Sequence, residues 1–116
     1  VSIQPAKYNL SVQRRVDYKL RITIKNPDGT GMDLNGATLY AQAWDKARAT
    51  QYAEFGITYV DRDEGIVEIT LDSTDTESLP CESFWDLMLE DSTGFKQYYL
   101  EGMVYTSQGY TEAPAP

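Results

Sequence analysis

The chain has 116 residues, a length that fits one domain and leaves no room for two. Ten basic and eighteen acidic side chains give a formal net charge of −8, which argues against a nucleic-acid partner. There is no histidine and a single cysteine, Cys81, which excludes Ser–His–Asp or Cys–His catalysis, Cys/His zinc ligation and an internal disulfide.

No stretch approaches about 18 consecutive apolar residues, so no membrane partner is expected. The opening residues show no basic region followed by an apolar one, so no secretion signal is visible. One unpaired cysteine suits a reducing compartment, and Cys81, after Pro80, reads as a partly buried small residue. Nine Tyr and two Trp favour strands over helices.

Residues 1–6 (VSIQPA) read as an amino-terminal arm, because Pro5 has no amide to give to a ladder. KYNLSVQR (7–14) alternates Tyr8, Leu10 and Val12 with polar partners. DYKLRITIK (17–25) is the clearest strand: Tyr18, Leu20, Ile22 and Ile24 share one face. NPDGTG (26–31) is a turn.

The stretch MDLNGA (32–37) then forms a corner far longer than the two residues a tight hairpin needs. Leu34 is expected to plug one end of the core. Asp33 and Asn35 satisfy loop amides, and Gly36 turns the chain into the next strand.

ATLYAQAW (37–44) sets Leu39, Ala41 and Ala43 against Thr38, Tyr40, Gln42 and Trp44. Both faces carry apolar area, so a covering partner is expected on the second. YAEFGITYV (52–60) reads as one strand with Phe55, Ile57 and Tyr59 on one face. DRDEG (61–65) is a turn, and IVEITL (66–71) points Val67, Ile69 and Leu71 inward. In DSTDTESLP (72–80), Thr74 and Glu77 have capping-box spacing and predict one short helical turn ending before Pro80. SFWDLMLE (83–90) points Trp85, Leu87 and Leu89 inward. FKQYYLEGMVYT (95–106) is the last strand, with a bulge expected at Gly102. SQGYTEAPAP (107–116) is a carboxy-terminal tail.

The elements predict one domain, residues 7–106, an all-β, immunoglobulin-like antiparallel β-sandwich of about seven strands with one short helical turn. Candidate chemistry is sparse. GTGMDLNG lacks the spacing of a phosphate loop and leads into a strand. Asp61, Asp63 and Glu64 offer hard oxygens but no EF-hand loop, so they read as a solvated turn. Asp72, Asp75 and Glu77 read as helix-cap oxygens and surface charge. Neither an enzyme activity nor a cofactor or metal is expected. Tyr40, Trp44, Tyr98, Tyr99, Tyr105 and Tyr110 are aromatic candidates for stacking or interface anchoring. Residues 1–58 hold eight bases and five acids, residues 59–116 two and thirteen. Such asymmetry would favour contact between copies if strand mixing did not average it out.

The order PDGT, MDLNGATLYAQAW, VDRDEGIVEITLDSTDTESLP and SFWDLMLEDSTGFKQYYLEGMVY resembles a small β-sandwich of tailed-phage virion proteins. It is similar to the amino-terminal domain of phage baseplate upper proteins and related tail-fibre and tail-attachment proteins. The family pattern has a DG turn, a DLTGA corner, G-x-V-x-L-x-L-S-x-x-x-T, YDL-x-L and G-x-x-x-x-L-x-G-x-V. Here the last four fall on Asp33–Ala37, Gly65–Thr76, Trp85–Leu89 and Gly94–Val104, with Asn35 in place of Thr and Trp85 in place of Tyr. The resemblance spans about residues 8–106.

It implies a non-enzymatic bacteriophage structural protein located in the virion, an adaptor or attachment module of tail, baseplate or fibre. The implied partners are other phage structural proteins, with many copies in a symmetric assembly. A capsid decoration (cement) protein and a module binding host-surface glycans are the alternatives. The interface residues expected are Tyr40, Trp44, Arg14, Arg15, Tyr105 and Tyr110, with Arg14 and Arg15 facing an acidic neighbour. Asp33, Leu34, Asn35 and Gly36 form the structural corner.

Overall fold

Period-two alternation shapes most of the chain in the computed structural model, which describes residues 6–111. Its strands are β1 (Ala6–Lys7), β2 (Leu10–Gln13), β3 (Tyr18–Thr23), β4 (Thr38–Trp44) and β5 (Gln51–Glu54). They continue with β6 (Gly56–Asp61), β7 (Ile66–Leu71), β8 (Glu82–Glu90) and β9 (Lys96–Ser107), and one helix, α1 (Ser73–Glu77), separates β7 from β8.

The strands form two sheets. The larger runs β1/β2–β9–β8–β4–β5, with β1 and β2 on the same edge of β9; the smaller runs β3–β7–β6. All pairings are antiparallel except those of β1 and β2 with β9, which are parallel. This is an all-β sandwich, three strands facing the larger sheet.

Between the sheets lie Leu39, Ala41 and Ala43 of β4, Val67, Ile69 and Leu71 of β7, and Trp85, Leu87 and Leu89 of β8, all buried. Trp85 packs on Phe55 with ring centroids 5.8 Å apart and donates its indole N–H to the Tyr8 carbonyl at 2.8 Å. The largest core side chain thus has its polar atom satisfied. The facing positions Tyr18, Leu20 and Ile22 of β3 pack on the core's edge, and Ile24 is fully buried.

Several expectations need correction. The stretch 52–60 is two strands in different sheets. The Phe55 amide still donates to the Ala41 carbonyl at 2.9 Å, and from Gly56 onward the chain pairs with β7 instead. Residues 7–14 likewise divide into β1 and β2, giving nine strands where seven were expected. Between β1 and β2, the Asn9 side chain accepts the Met103 amide at 3.0 Å and keeps the register unbroken.

The helix N-cap is Asp72, whose carboxylate accepts the Asp75 amide, not Thr74. Thr74 lies inside the helix. The bulge in β9 falls at Tyr99, between the pairs Leu87↔Leu100 and Met88↔Tyr98. Gly102 serves close approach instead: a Cβ there would lie 2.1 Å from the Tyr8 carbonyl oxygen. Cys81 is exposed, not partly buried. Of the expected amino-terminal arm, residues 1–5 lie outside the described residues; of the tail, residues 112–116 do, and Ser107 closes β9.

Candidate functional site

The corner after β3 is built as a lid. Leu34 is completely buried. Its amide donates to the Arg62 carbonyl at 2.7 Å, and the Arg62 guanidinium donates to the Leu34 and Ala37 carbonyls at 2.8 and 3.0 Å. Arg62 is itself held over the Tyr59 ring, 3.8 Å from its centroid. The Asp33 carboxylate accepts the Asn35 amide and side chain, which holds its pKa below the usual carboxylate range. Asn35 reaches on to Asp63 at 2.6 Å, and Gly36 takes φ +81° to turn into β4. The β8–β9 turn closes on the same end, with Ser92 beside Gly36. Asp33, Leu34, Asn35 and Gly36 therefore act together as a structural corner. Arg62, absent from the sequence expectation, is its central strut.

The acidic turns are similarly engaged. Asp61 accepts the Asp63 and Glu64 amides, and Asp72 caps α1. Among the described residues no group of three or more His, Cys, Asp or Glu side chains converges as a metal site.

Arg14 and Arg15 sit in the turn between β2 and β3 and bind Leu79 and the segment after β9. Arg14 donates to the Leu79 carbonyl at 2.9 Å and to the Gln108 side chain; Arg15 donates to the Gln108 and Gly109 carbonyls. Both guanidinium groups thus carry hydrogen bonds within the chain, although Arg15 Nε is buried without a partner among the described residues. Tyr110, just beyond this clamp, is almost wholly exposed.

Tyr99 packs against the core, its hydroxyl accepting the Lys25 amide at 3.1 Å, and the remaining candidates gather on the outer face of the larger sheet. Register places Tyr40, Met88 and Tyr98 in one cross-strand row and Trp44, Phe84 and Met103 in another. Between them runs a polar row of Gln42, Asp86 and Glu101. Tyr105 lies at the far end of the same face, opposite Glu82. Tyr40, Tyr98 and Tyr105 are 38%, 49% and 41% exposed, whereas Trp44, Phe84, Met88 and Met103 are partly buried. Shallow grooves of about 310 and 430 Å³ flank β8 and share Phe84 and Asp86. Trp44 forms one wall, its ring covered by Arg48 at 4.6 Å.

The carboxylates of this face differ in their partners. Glu101 pairs with Lys7, and Glu54 accepts from Gln42. Glu90 accepts the Tyr40 hydroxyl at 3.1 Å, the main cause of that phenol's raised pKa, and lies 4.0 Å from Lys96. Asp86, on the central strand, is half-buried and has no hydrogen bond within the described residues. Burial first, then the neighbouring Glu101, push its pKa up, against a smaller opposing pull from Arg48.

The structure thus unites Tyr40 and Trp44, adds Tyr105 on the same face, and separates Arg14, Arg15 and Tyr110 from them. Sequence reasoning missed Phe84, Asp86, Met88 and Met103 as surface residues. The available signal was in SFWDLMLE, where the positions between the inward residues are themselves apolar, acidic and apolar. Compared with protein-family models and with curated proteins, the sequence finds no match.

Proposed function

We propose that this domain is a non-enzymatic structural module of a tailed-phage virion, an adaptor or attachment piece that docks other virion proteins in a multi-copy assembly. The outer face of the larger sheet is the docking surface. The observation that carries this reading is the exposure of Tyr40, Tyr98 and Tyr105 on one sheet face, beside the partly buried Trp44, Phe84, Met88 and Met103. Exposed aromatic and Met side chains clustered on one rigid face are the usual anchors of protein interfaces. The phage assignment rests on the sequence resemblance of the corner and strand motifs.

Electron microscopy of virions labelled with an antibody fragment against this protein tests it. Label at the tail, neck or baseplate is expected. Label spread over the shell would make the domain a capsid decoration protein, and particles without label would overturn the virion assignment.

A further inference from the structure

We infer that the docking face receives an arginine from a partner protein, seated on Asp86 between the aromatic rows. The inference rests on the docking reading above and names the chemistry of the partner.

Three observations favour this occupant. First, Asp86 is at the centre: β8 is the third of the five strand positions across the larger sheet, and Asp86 lines both grooves. Second, its carboxylate is without a hydrogen bond among the described residues, while Glu54, Glu90 and Glu101 on the same face each have a partner. Covering the face without a cation would strand a desolvated negative charge. Third, the flanks are flat and aromatic: Tyr40 and Tyr98 on one side, Phe84 and the Arg48-covered Trp44 on the other. A guanidinium pairs with a carboxylate through two parallel N–H donors and stacks flat on rings, whereas an ammonium pairs as a point charge and has no planar fork to do either. Arg48 already shows the stacking mode on Trp44.

The same charge disfavours a second copy docked face to face. Two such faces would bring the two Asp86 carboxylates together, and like charges in a closed interface cost several kcal/mol. The occupant is therefore a basic segment of a different protein.

The test is selection of a random displayed peptide library on the purified domain, followed by binding of the selected peptides to Asp86→Asn, Tyr40→Ala and Trp44→Ala variants. Enrichment of arginine is expected, with affinity falling about tenfold or more in Asp86→Asn. That variant removes a charge repulsion and is expected to stay folded, which circular dichroism checks. Peptides that need Tyr40 and Trp44 but lack arginine, carry lysine instead, or bind Asp86→Asn equally would overturn the arginine seat and leave the docking face standing. Selected peptides insensitive to Tyr40→Ala and Trp44→Ala would overturn the docking face itself. Sedimentation showing a wild-type dimer abolished by Tyr40→Ala would overturn the exclusion of a second copy.

Discussion

Arg62 and Leu34 exchange hydrogen bonds in both directions: the Leu34 amide donates to the Arg62 carbonyl, and the Arg62 guanidinium donates to the Leu34 carbonyl. The corner before β4 is therefore fixed to the β6–β7 turn from both sides. Replacing Arg62 with Met keeps length and removes the donors to Leu34 and Ala37. The expected loss is about 2 kcal/mol or more, read by urea unfolding. An unchanged midpoint would show that the strut is dispensable.

Leu34 tests the lid directly. Its side chain is wholly buried, so Leu34→Ala should cost about 2–5 kcal/mol. Leu34→Asp places an unpaired carboxylate in the core and should unfold the domain. A melting temperature unmoved by Leu34→Asp would remove the plug from the account.

Asp86→Asn should stabilise the domain at neutral pH. Burial and Glu101 raise the folded-state pKa of Asp86, so the folded state binds its proton more readily than the unfolded chain. Ionised Asp86 weakens the fold above that raised pKa. The penalty shrinks as pH falls through it and vanishes below the unfolded value, where both states are protonated. The gain from Asn should stay under about 1 kcal/mol, because half of the group remains in water. Thermal melts of both proteins across acidic and neutral pH check the sign. A gain that grows toward acid would refute the assignment.

Gly102→Ala separates close approach from turn geometry. The new Cβ would meet the Tyr8 carbonyl at 2.1 Å, so the first-strand edge must shift. A loss of about 1–3 kcal/mol is expected. Hydrogen exchange should quicken at Tyr8 and Met103, whose amides bond to Glu101 and Asn9. Exchange unchanged at both would place the tolerance of this edge higher than the geometry implies.

The sandwich was legible because its core strands alternate cleanly. Val67, Ile69 and Leu71, and Trp85, Leu87 and Leu89, read inward from the sequence and are buried. The split at Phe55 was not legible, since YAEFGITYV alternates without a break; the change of sheet is set by which neighbour, β4 or β7, each half meets. Leu34 was legible as a plug through the length of its corner. Arg62 was not, because a lone Arg in an acidic turn looks solvated until the fold brings two carbonyls to it. Arg14 and Arg15 looked available for a neighbour for the same reason: nothing local shows that Leu79, Gln108 and Gly109 lie beside them. Asp86 carries no local signature of its environment; its desolvation comes from strands far apart in sequence.

The parallel pairing of β2 with β9 has a mechanical consequence. Leu10 lies beside Val104 and Gln13 beside Ser107, so the described chain enters beside the interior of β9 and leaves from the other end of the pair. Tension applied through residue 6 and residue 111 would drag these two strands past each other along their length. The ladder is then loaded in shear, its hydrogen bonds stretched together rather than opened one at a time. A bead strung this way resists extension along the line joining its two ends.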